Sequence, residues 1–271
     1  MIEPLMTAAL MADDFRRILR NDLAGVYVYG SLAFGSGPRV STDIDLLVAA
    51  ERELSQAEKE SMLRVVMERE KDAPGKGIDL TVVRADVCRS YAHPGAYMMR
   101  YTMKNRFEAA HDPAGFCARM KGMDPVLAVH LTVCRTAGFC VIGMPAEQLI
   151  AGVTEADFID GVRALLDETD GELRRAPAET VLELCRCLTF AEGGCIASKS
   201  QGGRWALTVL NGRWQELVHE ALLAYWAEET MEIPEDLDAF AAYMKDRVSE
   251  ALDRRLNGEG AVVPAGESGD V

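Results

Sequence analysis

Three short apolar segments in the N-terminal third of the chain most strongly constrain its fold. They are rich in β-branched and aromatic residues and cover residues 25–29, 44–49 and 78–83. Such runs, bounded by glycine or by acidic residues, are typical of buried strands. Amphipathic segments predict helices over 5–20 and 54–71, so the order is helix, strand, turn, strand, helix, strand. This order predicts a small mixed sheet packed with helices.

The remainder of the chain is predicted to be mainly helical. Helical periodicity covers 96–110, 124–137, 154–168, 178–192, 204–227 (with a break near Asn211-Gly212) and 235–256, and a short strand is predicted over 139–142. The fold class is therefore α+β. We expect an N-terminal domain over 1–150 and a C-terminal α-helical bundle over 151–256. Residues 257–271 are rich in glycine and acids and lack basic residues, so we predict a disordered tail.

Charge and cysteine usage limit the partners. The formal net charge is −14, which disfavours nucleic acid and favours a cationic small molecule, although acidity also serves solubility. No apolar run approaches the roughly 20 residues of a membrane span, so we expect no membrane partner. The seven cysteines are irregularly spaced and contain no C-x-x-C motif, which is typical of reduced thiols in a cytoplasmic protein.

Two carboxylates begin the second predicted strand. Asp43 and Asp45 lie two residues apart, and strand alternation places such residues on one face of a sheet. Close carboxylates repel unless a cation lies between them, and Mg²⁺ prefers hard oxygen ligands. The pair therefore predicts a magnesium site of the kind that supports in-line phosphoryl chemistry.

A glycine-serine turn and a third acid accompany this pair. Gly30 ends the first strand and allows close approach of the backbone, and Ser31 opens a turn whose N–H groups and hydroxyl suit phosphate oxygens. Asp79, on the third strand, is either a metal ligand or the general base for an acceptor hydroxyl. Each signal alone is common, since a D-x-D at a strand start is usually solvated. Their combination indicates nucleotide chemistry.

The stretch from Tyr29-Gly30-Ser31 to Asp43-Ile44-Asp45-Leu46-Leu47-Val48 resembles the nucleotidyltransferase superfamily that includes DNA polymerase β. Within it, the chain is similar to the bacterial aminoglycoside adenylyltransferases that modify streptomycin and spectinomycin. The similarity extends over nearly the whole chain and includes the segments 124–128, 141–143, 181–186, 196–199, 203–205 and 221–225. It implies a polymerase β-like N-terminal domain, ATP as co-substrate, Mg²⁺ as cofactor, and a small-molecule acceptor bound by a protein that we expect to be a monomer.

The resemblance also implies roles for individual residues. Asp43 and Asp45 would hold magnesium, with Asp79 as the third carboxylate and base where the family usually has Glu. Gly30, Ser31 and Ser41 would contact the triphosphate. Arg186, Lys199 and Tyr225 would close over ATP from the helical domain. Judged without the resemblance, the two cations would be surface charges and the tyrosine a packing residue.

The acceptor side departs from the family pattern. The run 97–104, which includes Met98, lacks the acid and the tryptophan that the family carries there, Val126 replaces an acid, and Ala176 stands near the position of another. Glu179 and Glu183 are the remaining candidates for substrate contact. A cationic sugar needs carboxylates and other hydrogen-bond acceptors, so spectinomycin is favoured over streptomycin.

Three functional hypotheses follow. The first is transfer of AMP from ATP to a hydroxyl of an aminoglycoside-type antibiotic, with release of pyrophosphate. The second keeps this chemistry with another metabolite or a protein side chain as acceptor. The third is a nucleotide-binding regulatory or toxin–antitoxin protein without turnover. The intact acids at positions 43, 45 and 79 argue against the third, because an inactive relative has no need of a repulsive cluster.

Overall fold

The computed structural model describes residues 4–35, 43–71 and 77–258. The chain divides into two compact units, Met1–Gly161 and Val162–Val271, called here the first and the second unit. Ser41, most of the predicted turn and loop at 35–41 and 72–77, and the predicted tail beyond residue 258 lie outside the described residues. The domain boundary at residue 150 stays a prediction.

A five-stranded mixed sheet organises the first unit, in the order β5-β3-β2-β1-β7. The pair β2–β3 is parallel, and the other neighbours are antiparallel. The strands β4 and β6 form a separate antiparallel pair. The strands are β1 (Leu23–Tyr29), β2 (Ile44–Ala50), β3 (Ile78–Arg84), β4 (Gly95–Tyr97), β5 (Met99–Tyr101), β6 (Gly122–Asp124) and β7 (Phe139–Gly143). The three strands predicted in the first 85 residues, and the short one over 139–142, are confirmed.

Eight helices accompany the strands within the described part of this unit. They are α1 (Pro4–Leu19), α2 (Gly30–Phe34), α3 (Gln56–Glu70), α4 (Ala85–Arg89), α5 (Arg106–His111), α6 (Pro113–Arg119), α7 (Leu127–Ala137) and α8 (Ala146–Leu149). The apolar faces of α1 and α3 share one core with alternate residues of the strands, as with Phe15, Met62, Val28, Leu46 and Leu80. Strand alternation then directs the intervening residues of β1, β2 and β3 to the opposite face.

Residues 96–110, predicted as one helix, form instead β4, β5 and the short α5, so that prediction was wrong. β5 adds to the edge of β3, where Arg100 lies opposite Thr81, and the Met98 N–H donates to the Val82 carbonyl at 2.8 Å. The Asn105 side chain closes the turn before α5, since it accepts from the Thr102 N–H at 2.9 Å. Pairing with a distant strand therefore overrides the local helical pattern.

The second unit is a helical bundle, as predicted. Its helices are the C-terminal part of α9 (Glu155–Glu172), then α10 (Pro177–Gly193), α11 (Lys199–Val209), α12 (Gly212–Ala227) and α13 (Leu237–Leu256). The central α10 is buried along most of its length and packs against α11, α12 and α13. The break predicted near Asn211-Gly212 is confirmed. Within the described residues, no helix combines the length and apolar character that crossing a membrane requires.

A capping box fixes the start of α3. The Ser55 side chain accepts from the Glu58 N–H, and the Glu58 side chain accepts from the Ser55 N–H at 2.8 Å. Arg52 and Ser55 hold the pKa of the Glu58 carboxyl at about 2. The contribution of this carboxylate to stability is therefore complete above its ordinary pKa and is lost as the pH falls from there through about 2.

We predict that Ser55→Ala weakens α3 by about 1 kcal/mol, because the helix loses one acceptor for its first N–H groups. Hydrogen exchange measured by mass spectrometry over residues 56–70 checks this. The matched control is Ser61→Ala, whose hydroxyl bonds the Ala57 carbonyl inside the same helix and whose loss should change protection by less than about 0.5 kcal/mol. Equal effects of the two substitutions would contradict the assigned cap.

Close packing of α11 on α10 depends on a glycine. A Cβ atom on Gly202 would lie 2.6 Å from the Arg186 Cα and 2.7 Å from its backbone nitrogen. Backbone atoms cannot yield locally, so any side chain at 202 must displace one helix from the other. At Gly171 in α9, by contrast, a Cβ atom would have no atom of the described chain within 4 Å.

We predict that Gly202→Ala lowers the unfolding free energy of the second unit by about 1–3 kcal/mol, as overpacking of a tight contact does. Gly171→Ala should leave it unchanged or slightly raised, because alanine favours a helix. All three tryptophans (Trp205, Trp214 and Trp226) lie in this unit. Denaturant titration followed by tryptophan fluorescence therefore reports on it, and similar midpoints for the two variants would refute the packing assignment.

Candidate active site

Acidic side chains from neighbouring strands lie in one row across the first unit's sheet. In the strand register, Tyr29 of β1 is opposite Asp45 of β2, and Asp45 is beside Asp79 of β3. These residues alternate with Val28, Leu46 and Leu80, which face the α1 and α3 core. The row therefore occupies the other face of the sheet. Asp43, half-buried, directly precedes β2.

Gly30 permits the chain to turn immediately beside Asp45. Its φ is +68°, in the left-handed region, and a Cβ atom here would lie 2.0 Å from the Asp45 Oδ2. Glycine is thus required by both the backbone conformation and the approaching carboxylate. Ser31 follows in the first turn of α2, as predicted, and is half-buried. Ser41 lies outside the described residues.

The environment of Asp79 combines burial with nearby charges of both signs. Burial raises the pKa of its carboxyl, while the Arg100 guanidinium, the Met103 N–H and the Lys104 ammonium oppose that rise. Burial, together with Asp45 and Asp79, also raises the pKa of Tyr29 well above its ordinary value. The row thus has a protonated phenol at one end and a carboxyl with increased proton affinity at the other.

Arg100 and Asp124 are site residues that the sequence did not reveal. Arg100 lies opposite Thr81 on β5, which places it on the same sheet face as Asp79. Its guanidinium donates to the buried Asp124 carboxylate, which also accepts from the Val126 N–H at 2.9 Å. The alternation of Arg100 with the apolar Met99 and Tyr101 is typical of a strand, but this segment was predicted to be part of a helix.

The acids suit a metal that arrives with phosphate ligands. Among residues 4–35, 43–71 and 77–258, no group of three or more His, Cys, Asp or Glu side chains is placed to hold a metal ion. Magnesium in nucleotide sites normally uses one or two carboxylates and takes its other ligands from phosphate oxygens and water. Asp43 and Asp45 have the right donor chemistry for that arrangement.

In the second unit, four of the predicted residues form one charged cluster. The Arg186 Nε donates to the Glu183 Oε1 at 2.5 Å, and the Lys199 Nζ lies 3.4 Å from the Glu179 Oε2 and 3.9 Å from the Glu183 Oε2. The two cationic side chains are only about a quarter exposed, at 25% and 26%. Neither is the solvated surface charge that the local sequence indicates. Tyr225 is half-buried in α12, with its ring centroid 6.4 Å from that of Trp226.

Comparison with known proteins identifies the relatives of this chain. Residues 148–247 match the family described as aminoglycoside adenylyltransferase, C-terminal domain. The chain is 26% identical over 246 residues to an aminoglycoside (3'') (9) adenylyltransferase of Escherichia coli, covering 87% of this chain and 91% of that protein. It is 22% identical over 243 residues to a spectinomycin 9-adenylyltransferase of Campylobacter jejuni, with 87% and 92% covered. Over most of its length, the chain is therefore similar to aminoglycoside and spectinomycin adenylyltransferases.

A solved structure has a similar fold. The fold matches the crystal structure of spectinomycin adenyltransferase AAD(9) from Enterococcus faecialis with ATP and spectinomycin. The TM-score is 0.81 at 19% identity, and the match covers 90% of this chain and 99% of that one. The predicted fold class is confirmed, as are the predicted resemblance to these adenylyltransferases and the predicted enzyme class, nucleotidyltransferase. The roles of the individual residues stay predictions.

We predict that Gly30→Ala reduces turnover of this nucleotidyltransferase far more than Gly35→Ala. Both glycines have positive φ, +68° and +61°, so both substitutions strain the backbone. Only at position 30 would the added Cβ displace the Asp45 carboxylate, since none of the described residues has an atom within 4 Å of a Cβ at position 35. Pyrophosphate release measured beside thermal unfolding separates the two effects. Equal losses of activity would show that backbone strain alone is responsible.

Proposed function

We propose that the protein transfers AMP from Mg-ATP to a hydroxyl of an aminoglycoside-type antibiotic, with spectinomycin preferred to streptomycin, and releases pyrophosphate. The observation that carries this proposal is the in-register pair of Asp45 and Asp79 beside the Gly30 turn. The names of the relatives, aminoglycoside and spectinomycin adenylyltransferases, support it. So does the presence of ATP and spectinomycin in the structurally similar AAD(9).

The proposed reaction assigns distinct roles to the acids. Asp43 and Asp45 would hold magnesium, which when bound neutralises phosphate charge and favours departure of pyrophosphate. Asp79 accepts the proton of the acceptor hydroxyl. At the same time the hydroxyl oxygen forms a bond to the α-phosphorus of ATP, and the bond between the α-phosphorus and the oxygen that bridges it to the β-phosphorus breaks, which releases pyrophosphate. Burial, which raises the pKa of Asp79, favours this transfer. Gly30 and Ser31 bring backbone and hydroxyl groups to the phosphates. We retain Ser41 as a further phosphate contact.

In the second unit, we propose that Arg186, Lys199 and Tyr225 contact the nucleotide. Arg186 and Lys199 provide N–H donors for phosphate oxygens, and the half-buried Tyr225 provides an aromatic surface. The acids Glu179 and Glu183 stay candidates for contact with the substrate. We also propose that the protein acts as a monomer on small molecules and does not use nucleic acid.

The preference for spectinomycin rests on apolar residues at acceptor positions. Met98 and Val126 stand where the resemblance places acceptor-site residues, and both are buried, at 4% and 2% exposure. Neither can offer a carboxylate to an ammonium or guanidinium group. Ala176 likewise offers no acid at the start of α10. A highly basic acceptor therefore finds fewer ionic partners here than the family pattern provides.

We predict that Asp45→Asn abolishes pyrophosphate release and that Asp79→Asn lowers turnover by about 10²–10⁴-fold, the usual effect of losing a general base. The amide keeps the size of each side chain while removing its charge. The control is Asp86→Asn, since Asp86 is an exposed carboxylate of α4 that pairs with Arg84, the last residue of β3. Removal of Mg²⁺ with EDTA should stop the wild-type reaction. Wild-type turnover by folded Asp45→Asn would refute the metal assignment.

The acceptor is tested with a panel of antibiotics. After incubation with Mg-ATP, mass spectrometry should detect the gain of one AMP on spectinomycin and a smaller yield on streptomycin. Pyrophosphate release without a mass gain on any antibiotic would redirect the same chemistry to another acceptor. ATP binding without pyrophosphate release under any condition would overturn the proposed enzymatic function.

A further inference from the structure

A buried carboxylate lies between two cations of the second unit. Glu183, on α10, is 9% exposed. Its Oε1 accepts from the Arg186 Nε at 2.5 Å, and its Oε2 lies 3.9 Å from the Lys199 Nζ. Each oxygen of this carboxylate therefore faces a different cation.

Two helices assemble this cluster. Glu179, Glu183 and Arg186 are spaced by four and three residues on α10, so their side chains share one face. Lys199 is the first residue of α11, which comes close to α10 because Gly202 contacts the Arg186 backbone. The cluster thus combines two acids and two bases, and its formal charge is zero.

A neutral cluster restrains the affinity of cations for phosphate. The attraction of Arg186 and Lys199 for an anion is reduced by a carboxylate already at hydrogen-bond distance, and in a half-buried setting solvent screens this effect only weakly. Phosphate oxygens that bind these cations must compete with Glu183. The same competition assists departure of a polyanionic product.

We propose that Glu183 is a positioning residue and the resident counter-ion of the nucleotide-binding cations: it holds Arg186 and Lys199 in place and limits how tightly they bind polyphosphate. This inference rests on the proposed function, in which the two cations contact ATP. It gives Glu183 a role other than the substrate contact predicted from the sequence, because both of its oxygens already face cations of their own unit.

The decisive variant is Glu183→Gln, which keeps the side-chain shape and an oxygen acceptor for Arg186 while removing the charge. We expect the dissociation constant for Mg-ATP, measured by calorimetry, to fall by about threefold to tenfold and to depend more steeply on salt. We expect kcat to change less than the affinity for ATP, so the fold decrease in KM for ATP should exceed the fold change in kcat. Glu183→Ala, which also removes the acceptor that orients Arg186, should bind ATP less tightly than Glu183→Gln.

The matched control is Glu192→Gln. Glu192 lies on the same helix and accepts from Arg247 of α13 at 2.7 and 2.8 Å, so the substitution removes the same charge from a similar ion pair. ATP affinity should be unchanged there. Unchanged or weaker binding of ATP by folded Glu183→Gln, or equal tightening by Glu192→Gln, would overturn the inference.

Two further variants keep the test decisive. Glu179→Gln replaces the test if Glu183→Gln fails to fold, because the Glu179 side chain is 26% exposed and contacts Lys199. We expect this substitution to tighten ATP binding about twofold. Unchanged ATP binding would count against the inference. Arg186→Gln and Lys199→Gln test the proposed function separately. If these two variants bind ATP as well as wild type, the nucleotide role of the cations fails. If they bind poorly while Glu183→Gln is unchanged, only the counter-ion role fails.

Discussion

The parallel pairing of β2 with β3 is the constraint on which the first unit depends. It places Asp45 beside Asp79, while the adjacent Leu46 and Leu80 fill the core against α1 and α3. Because side chains alternate along a strand, a shift of one residue would bury Asp79 and expose Leu80. The apolar core therefore enforces the register that brings two like charges together. Gly30 completes this arrangement, since only a residue without Cβ leaves room for the Asp45 carboxylate.

The two units handle neighbouring acids in different ways. In the first unit, burial and the Asp45 and Asp79 carboxylates raise the pKa of Tyr29, and burial raises the pKa of Asp79 against the opposing effect of Arg100. Such a site favours a metal ion and a proton donor. In the second unit Glu179 and Glu183 are matched by cations within the same cluster. That balance suits reversible binding of an anion, because attraction is available only when a carboxylate is displaced.

Much of this could be predicted from the sequence because the signals are local. Apolar runs bounded by glycine or by acidic residues predicted the three central strands, two of which carry Asp45 and Asp79 side by side in the structure. Contacts between distant segments could not be predicted. β5 forms because the free edge of β3 accepts it, so the run containing Arg100 was wrongly assigned to a helix. Lys199 meets Glu183 only because Gly202 lets two helices approach, and a glycine pair in a sequence normally indicates a break.

The carboxylate row and the Arg100–Asp124 ion pair lie in different parts of the first unit. The central strands β2 and β3 carry the acids and β1 carries Tyr29, and the register of these strands is fixed by the core. The edge strand β5 carries Arg100, whose partner Asp124 belongs to the separate β4–β6 pair. The side chain of Arg100 can change without disturbing the central register, because it lies on the face opposite the α1 and α3 core, to which the neighbouring Met99 and Tyr101 belong. The register of the core therefore fixes the acids, whereas Arg100 is held at the edge by its ion pair with Asp124, which also accepts from the Val126 N–H.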